Sequence, residues 1–203
     1  MITTENFEQI EVCSTDELWT WLDANHTRTE SVWLVTYKKS VPDRYLSTGD
    51  VLDALIAYGW IDGIRRKTEP AVEGDEALER TMQLIAPRQT QHWAKSYKER
   101  AARLISESRM REPGQAAITR SKADGMWSFM DDVDALITPK DLQAELDKRE
   151  GADAFFHGLP DSAKRFTLRW IKLAKTEATR NKRLVETAER SARGEYVKGV
   201  GMS

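Results

Sequence analysis

The sequence predicts an α+β protein, with a small antiparallel sheet and helices in the N-terminal half and an all-helical C-terminal half. Two observations predict this class. Runs in which apolar and polar residues alternate, as they do in strands, come before Gln91. From Gln91 onward the apolar residues recur every three or four positions, as they do in helices. We therefore expect an α+β domain over residues 1–125 and a helical C-terminal region over residues 126–203.

The N-terminal elements carry their own start and stop signals. Ser14, with Glu17 three residues later, forms a capping box in front of the apolar residues of "LWTWL". Ser47 caps a second helix in "STGDVLDALIAYGW", and we expect Gly59 to end that helix in a left-handed conformation. The segment "SVWLVTYKK" between them is mostly apolar in both of its alternating sets, which predicts a strand covered on both faces.

The remaining strands and helices follow from pattern and punctuation. "WIDGIRRKT" and "LERTMQLIAPR" predict an antiparallel hairpin, joined by an acidic, glycine-containing loop around residues 72–77. Further along, Pro113 fits the first turn of a helix, Thr138 and Pro139 start another, and Asp161 caps "SAKRFTLRWIKLAKT".

Composition excludes several classes of protein. The 203 residues suit one large domain or two small ones, and the net charge of -2 gives no overall signature of a nucleic-acid binder. Cys13 is the only cysteine, and the three histidines stand far apart, so we expect neither a metal nor another cofactor. No signal peptide is visible and no apolar run approaches the roughly 20 residues that cross a bilayer. We expect a cytoplasmic protein without membrane insertion.

Charge is distributed unevenly along the chain. Residues 131–153 carry eight acids and three bases, whereas residues 160–198 carry eleven bases and five acids. One face of a helix there would present three basic side chains, and the opposite face three apolar ones for packing: Arg165, Arg169 and Lys172, and Phe166, Trp170 and Leu173. Such helices could bind phosphates as a nucleic-acid-binding module, but the acidic remainder would repel DNA. Solvated helix faces are the simpler interpretation.

One carboxylate stands out in "AYGWIDGIRR". Asp62 could hold the helix-to-strand turn by accepting backbone N–H bonds, with Gly63 supplying unusual backbone angles. Alternatively, Asp62 faces a cleft. Strand alternation then places Asp62 on the same face as Arg66, and a guanidinium beside a carboxylate favours the ionised form of both.

A second candidate lies at the strand-to-helix junction in "APRQTQHW". Arg88 offers a forked donor beside the exposed N–H groups of a helix start, which together attract anions. His92 could act as an acid or base, because histidine titrates near neutral pH. The hypothetical pocket combines residues from both segments: Trp60, Asp62, Arg66, Arg88, His92 and Trp93.

Six segments also carry a family resemblance: "LWTWLDANH", "SVWLVTYKK", "AYGWIDGIRR", "ERTMQLIAPR", "RLISESRMREPGQAAITRSKADGMW" and "RWIKLAKTEATRNKRL". In this order they resemble the bacterial YdeI/OmpD-associated, or bacteriocin-protection, family from about Asp16 to Gly194. The resemblance implies protection against bacteriocins or association with an outer-membrane porin. It specifies no reaction, cofactor or catalytic residue. Two polar positions of the family pattern, a serine and an asparagine, are occupied here by Gln91 and Tyr97.

These observations together favour a non-enzymatic role in stress or bacteriocin tolerance, through binding of a small anionic ligand or a protein partner. The Trp60 and Trp93 rings would form apolar walls, and the arginines would hold the anion. Two alternatives stay open. One is a hydrolase or transferase that uses Asp62 or His92 as acid or base. The other is the nucleic-acid-binding module on the basic C-terminal helices.

Overall fold

The computed structural model describes residues 7–68 and 79–197, so the predicted acidic loop around residues 72–77 lies outside the described residues. The chain divides into two compact units, residues 1–128 and 129–203. All strands in the described ranges belong to the first unit, and the second consists of helices and their connections. The predicted α+β class is confirmed.

The first unit contains a four-stranded mixed sheet. Its strands are β1 (Gln9–Glu11), β2 (Val32–Tyr37), β3 (Trp60–Lys67) and β4 (Arg80–Pro87), in the spatial order β1-β2-β4-β3. The predicted hairpin is confirmed, because β3 pairs antiparallel with β4. β4 also pairs antiparallel with β2, whereas the short β1 is parallel to β2. The sheet is therefore antiparallel apart from one edge strand.

Four α-helices of the described residues accompany the sheet, α1 (Thr15–Asn25), α2 (Thr48–Ala57), α3 (Lys95–Ser106) and α4 (Glu112–Ala123), and a 3-10 helix (Pro42–Arg44) follows β2. The two predicted caps are present, since the Ser14 hydroxyl accepts a hydrogen bond from the backbone N–H of Glu17 and the Ser47 hydroxyl accepts one from that of Asp50. Gly59 follows α2 with φ +71°, as expected of a left-handed helix end. Helices and sheet enclose one core, to which the buried Leu18, Leu55, Trp60, Ile85, Trp93 and Leu104 belong.

A β-bulge interrupts β3. Asp62 lies opposite Ile85 and Arg65 lies opposite Gln83, so two residues of β3 face the single Leu84 of β4. One extra residue turns the following side chains to the other side of the sheet. Because opposed residues share a face, Asp62 stands on one face and Arg66, opposite Met82, on the other. The prediction that Asp62 and Arg66 share a face is wrong for this reason.

Gly63 fits the bulge by its size. A Cβ at this position would lie 3.2 Å from the carbonyl oxygen of Leu84, tighter than ordinary contacts. The described glycines with positive φ are Gly59, Gly125, Gly151 and Gly194, so Gly63 is not among them. The strand therefore uses Gly63 for the close approach of two backbones, and not for the unusual backbone angles that the sequence suggested.

The second unit is built from five helices of the described residues: α5 (Asp131–Asp134), α6 (Lys140–Leu146), α7 (Ala152–Gly158), α8 (Asp161–Lys172) and α9 (Glu177–Ala192). Its core includes Leu142, Phe156, Leu168, Ile171 and Leu184. The buried face of α8 consists of Ala163, Thr167, Leu168 and Ile171.

The predicted packing face of α8 is wrong. Phe166 and Leu173 are 41% and 40% exposed, and Trp170 is only partly buried. α8 carries two apolar stripes about a third of a turn apart, and helical spacing fits both. Packing selects the stripe with the smaller Ala163 and Thr167, which lets neighbouring helices approach closely.

Candidate functional site

Arg88 lies where β4 ends and the connection to α3 begins. Its backbone N–H donates to the carbonyl of Gly59 at 2.9 Å, which ties the end of β4 to the turn after α2. The residue is only 2% exposed. Its guanidinium lies over the ring of Trp93, 4.1 Å from the ring centroid, and 5.6 Å from that of Tyr97. Aromatic rings thus hold a buried cation in place.

The hydrogen bonds of the Arg88 side chain go to the backbone. Nη1 donates to the carbonyl oxygens of Gln91 at 3.3 Å and His92 at 3.4 Å. Among the described residues, no carboxylate lies within ion-pair distance of Arg88, and its buried Nε has no acceptor. Burial lowers the pKa of Arg88 to about 10, against the opposing influence of Tyr97 and Asp62. The group is therefore a buried positive charge at neutral pH.

Asp62 belongs to the same site through Tyr97. One carboxylate oxygen accepts from Nε2 of Gln83 at 3.0 Å, and the other accepts from the Tyr97 hydroxyl. Burial and this hydrogen bond both raise the pKa of Tyr97. Asp62 lies inside β3 and its bonds go to side chains of β4 and α3, so its interpretation as a turn-forming residue is wrong. It orients the phenol ring of Tyr97, whose centroid lies 5.6 Å from the Arg88 guanidinium.

The structure brings together most of the predicted site. Trp60 lies opposite Pro87 at the same end of the sheet and shares its core cluster with Trp93. His92 contributes its backbone carbonyl to the Arg88 contacts. Arg66 lies apart from the others, because its guanidinium stands 5.3 Å from the Trp33 ring on the opposite face of the sheet.

Sequence reasoning missed two members of the site, Tyr97 and Gln83. Tyr97 was assigned to the apolar face of its helix and noted as a departure from a family pattern, but it was not placed in the pocket. Its position in the first turn of α3, four residues after Trp93, is the signal that could have found it. Gln83 lies two residues before the core residue Ile85 in β4, so both side chains are on the same face of the sheet. A buried polar side chain at such a core-facing position needs a partner.

Three buried N–H groups of the site have no hydrogen-bond acceptor in the described part of the chain. They are the indole Nε1 of Trp60, the indole Nε1 of Trp93 and Nε of Arg88. Both indoles are fully buried. Buried donors normally have a partner, so three of them at one end of the sheet distinguish this region from an ordinary core.

A second buried charge lies in the same unit, on α2. Asp53 is 5% exposed and accepts from Nη1 of Arg100 and Nη2 of Arg103, each at 2.7 Å, with Nη1 of Arg109 at 4.0 Å. Burial alone would raise the pKa of Asp53, but the hydrogen bonds from Arg103 and Arg100 and their charges outweigh it and hold the pKa below 3.8. The lone acid in "VLDALIA" is the sequence signal for this cluster.

Several basic residues of the second unit are neutralised locally. Lys172 pairs with Asp132, and Nε of Arg180 lies 2.8 Å from a carboxylate oxygen of Asp141. Both carboxylates come from the acidic segment 131–153. The segment therefore covers part of the basic surface, which counts against a nucleic-acid-binding module there.

Similarity to known families follows the two halves of the chain. Residues 10–117, more than half of the chain, match the family model of a domain of unknown function, DUF8412. The chain belongs to the DUF8412 family. Residues 135–194 match the family described as Bacteriocin-protection, YdeI or OmpD-Associated. The resemblance noted from the sequence is thus confirmed for this C-terminal segment, whereas "AYGWIDGIRR" and "ERTMQLIAPR" lie in the DUF8412 match.

Comparison of this DUF8412 chain with curated proteins and with solved structures found no match. Within the described residues, no helix combines the length and the apolar character needed to cross a membrane. The same residues contain no group of three or more His, Cys, Asp or Glu that could hold a metal ion.

Proposed function

We propose that the first unit is a binding module for a small anion, which Arg88 holds. The observation that carries the proposal is a guanidinium only 2% exposed, without a carboxylate in ion-pair distance among the described residues. A buried charge without a counter-ion costs several kcal/mol, so its presence needs a compensating partner. An anion bound beside Arg88 would supply that partner.

The surroundings of Arg88 favour binding over catalysis. Both oxygens of Asp62 are engaged, by Gln83 and by Tyr97, which leaves this carboxylate as an orienting group. A general base must instead reach a proton of the substrate. The depth of Arg88 also favours a small ligand over a protein partner, because a protein surface needs exposed atoms to contact.

The biological setting of the proposal is tolerance of stress or bacteriocins in the cytoplasm. The match of residues 135–194 to the bacteriocin-protection family supports the role in bacteriocin tolerance. In this proposal the anion acts as a signal or stabilising ligand for the first unit, and the second unit carries the family's role.

A thermal-shift titration tests the proposal. The full chain is melted in a series of inorganic anions and small carboxylates, as wild type, Arg88→Lys and Arg88→Met. Arg66→Met, an arginine on the other sheet face, is the matched control. An anion at about 100 times its dissociation constant stabilises a fold by about 2.7 kcal/mol. We expect a saturable rise in wild type and Arg66→Met that is lost in Arg88→Met. The proposal is overturned by equal shifts in wild type and Arg88→Met, or by none in any anion.

A further inference from the structure

The buried groups without partners share one chemical property, which bears on the nature of the ligand. The indole N–H groups of Trp60 and Trp93 and the Nε–H of Arg88 are all donors. Among the described residues, the buried side-chain groups of the site that lack a partner are therefore all hydrogen-bond donors.

The backbone and carboxylate oxygens near Arg88 each already receive a donor. The carbonyls of Gln91 and His92 accept from Nη1 of Arg88, and the two oxygens of Asp62 accept from Gln83 and Tyr97. A ligand that carries its own O–H or N–H would place that donor among the unpartnered N–H groups of Trp60, Trp93 and Arg88. Such an unpaired donor loses the free energy of a hydrogen bond and gains nothing in return.

Charge limits the ligand as well. Arg88 carries one positive charge, and Asp62 stands one side chain away, behind Tyr97, close enough to raise the pKa of Arg88. A monovalent anion would balance the guanidinium. A divalent anion would add an excess negative charge next to Asp62 in a region of low dielectric constant, where like charges repel strongly.

We infer that the Arg88 site takes a small monovalent anion that accepts hydrogen bonds and donates none. A halide and the carboxylate group of a compact ligand share this chemistry. The inference rests on the proposed function and narrows it to one ligand class. Trp60 and Trp93 become ligand donors through their indole N–H groups, in addition to forming walls.

The indole N–H signals of the protein provide a direct test. The chain has seven tryptophans, so a nitrogen-15 spectrum contains one indole signal for each. Trp60→Phe, Trp93→Phe and Trp33→Phe assign three of them. Trp33 is the matched control, because it is buried on the opposite face of the sheet. Bromide, formate, sulfate and hydrogen phosphate are titrated in turn into halide-free buffer at constant ionic strength.

We expect bromide or formate to shift the Trp60 and Trp93 signals along one saturable curve and to leave the Trp33 signal in place. Sulfate and hydrogen phosphate should not produce that curve. Trp93→Phe keeps the ring beneath Arg88 and removes its N–H, so affinity should fall about tenfold or more, the weight of a hydrogen bond to a charged group. Trp33→Phe should bind as wild type does. Saturation by bromide alone identifies a halide site, and saturation by formate identifies a carboxylate site; both support the inference.

Other outcomes separate the inference from the proposed function. Saturable binding of sulfate or hydrogen phosphate that Arg88→Met abolishes would keep anion binding and overturn the inference. So would Arg88-dependent binding of bromide that leaves both indole signals unmoved. Absence of saturable binding by all four anions and by the carboxylate series of the thermal titration would overturn both. Whether any of the four anions binds saturably is decided by the wild-type spectrum, so that outcome does not depend on the folding of a variant.

Discussion

Arg88 and Asp53 are both buried charges of the first unit, and the protein treats them in opposite ways. Asp53 receives two guanidinium groups at 2.7 Å and a third at 4.0 Å. The Arg88 guanidinium instead packs on aromatic rings and donates to two backbone carbonyls. α3 borders both sites, with Tyr97 on the Arg88 side and Arg100 and Arg103 on the Asp53 side.

The two sites differ in whether the protein itself balances the buried charge. The Asp53 cluster satisfies its charge internally, so it needs no ligand and its role is to join α2 to α3. The Arg88 site keeps unsatisfied donors and an unpaired charge among the described residues. α3 supplies guanidinium counter-charges to the Asp53 cluster and a phenol to the Arg88 site, and this contrast supports the proposed anion.

Removing the Asp53 charge should have the largest effect. Asp53→Asn leaves three arginines without their shared carboxylate, and breaking a buried ion pair costs about 3–5 kcal/mol. We expect about 3 kcal/mol, because the arginines are partly exposed and can reach water. Urea unfolding followed by tryptophan fluorescence reports on the first unit, which holds six of the seven tryptophans. Glu107 forms exposed ion pairs with Arg103 and Arg109, at 3.4 and 3.3 Å. Glu107→Gln should therefore change stability by less than about 0.5 kcal/mol.

A loss of less than about 1 kcal/mol in the free energy of unfolding of Asp53→Asn would show that the ion pairs of Asp53 contribute little to stability. The contrast with Arg88 would then disappear.

Acid should erase the same contribution. The pKa of Asp53 is lowered below its ordinary 3.8, so the carboxylate stabilises the fold above that pH, and this stabilisation fades as pH falls through the lowered value. We expect wild type and Asp53→Asn to differ at about pH 6 and to converge well below pH 3.8. Urea midpoints measured across this range check it. A difference that stays constant into acid would mean that Asp53 acts by shape and not by charge.

Arg88→Met should cost less than Asp53→Asn when no anion is bound. The variant removes an unpaired charge, which is favourable, but deprives the carbonyls of Gln91 and His92 of a donor, at about 1–3 kcal/mol. Its stability should also no longer depend on added anion. Arg66→Met is the control and should stay within about 0.5 kcal/mol of wild type, since Arg66 is exposed. A loss for Arg88→Met as large as that for Asp53→Asn would mean that both charges are equally structural.

Tyr97→Phe should have the smallest effect. It removes one donor to Asp62, which is half-buried and keeps the bond from Gln83, so the expected loss of stability is about 1 kcal/mol. Anion affinity should change little, because the ring beside Arg88 remains. Unfolding curves and the anion titration measure both quantities. A large fall in affinity would place the hydroxyl itself at the ligand.

The parts of the fold that the sequence predicted are those with local causes. Serine caps at residues 14 and 47, the left-handed Gly59 and the hairpin of β3 and β4 all follow from signals within a few residues. The parallel pairing of β1 with β2 depends on residues far apart, and the bulge at Gly63 depends on Leu84 across the hairpin. Neither leaves a local pattern to detect.

The candidate site divides in the same way. Arg88, Trp93 and Asp62 were found because their residue types are unusual for their positions. Arg66 was misplaced because alternation assumes an uninterrupted strand. Asp53 was overlooked because its partners come from α3 and the following connection, which only the folded chain brings to α2.

The bulge in β3 also determines how relatives of this chain should be aligned. Without Ile64, Asp62 would be followed by Gly63 and then directly by Arg65, and plain alternation would still set Arg65 opposite Gln83 and Arg66 opposite Met82. A one-residue gap at this point therefore leaves every following side chain on the same face of the sheet. The same gap elsewhere in the strand would turn all later residues over. Insertions and deletions in this strand should thus collect at Gly63 and Ile64.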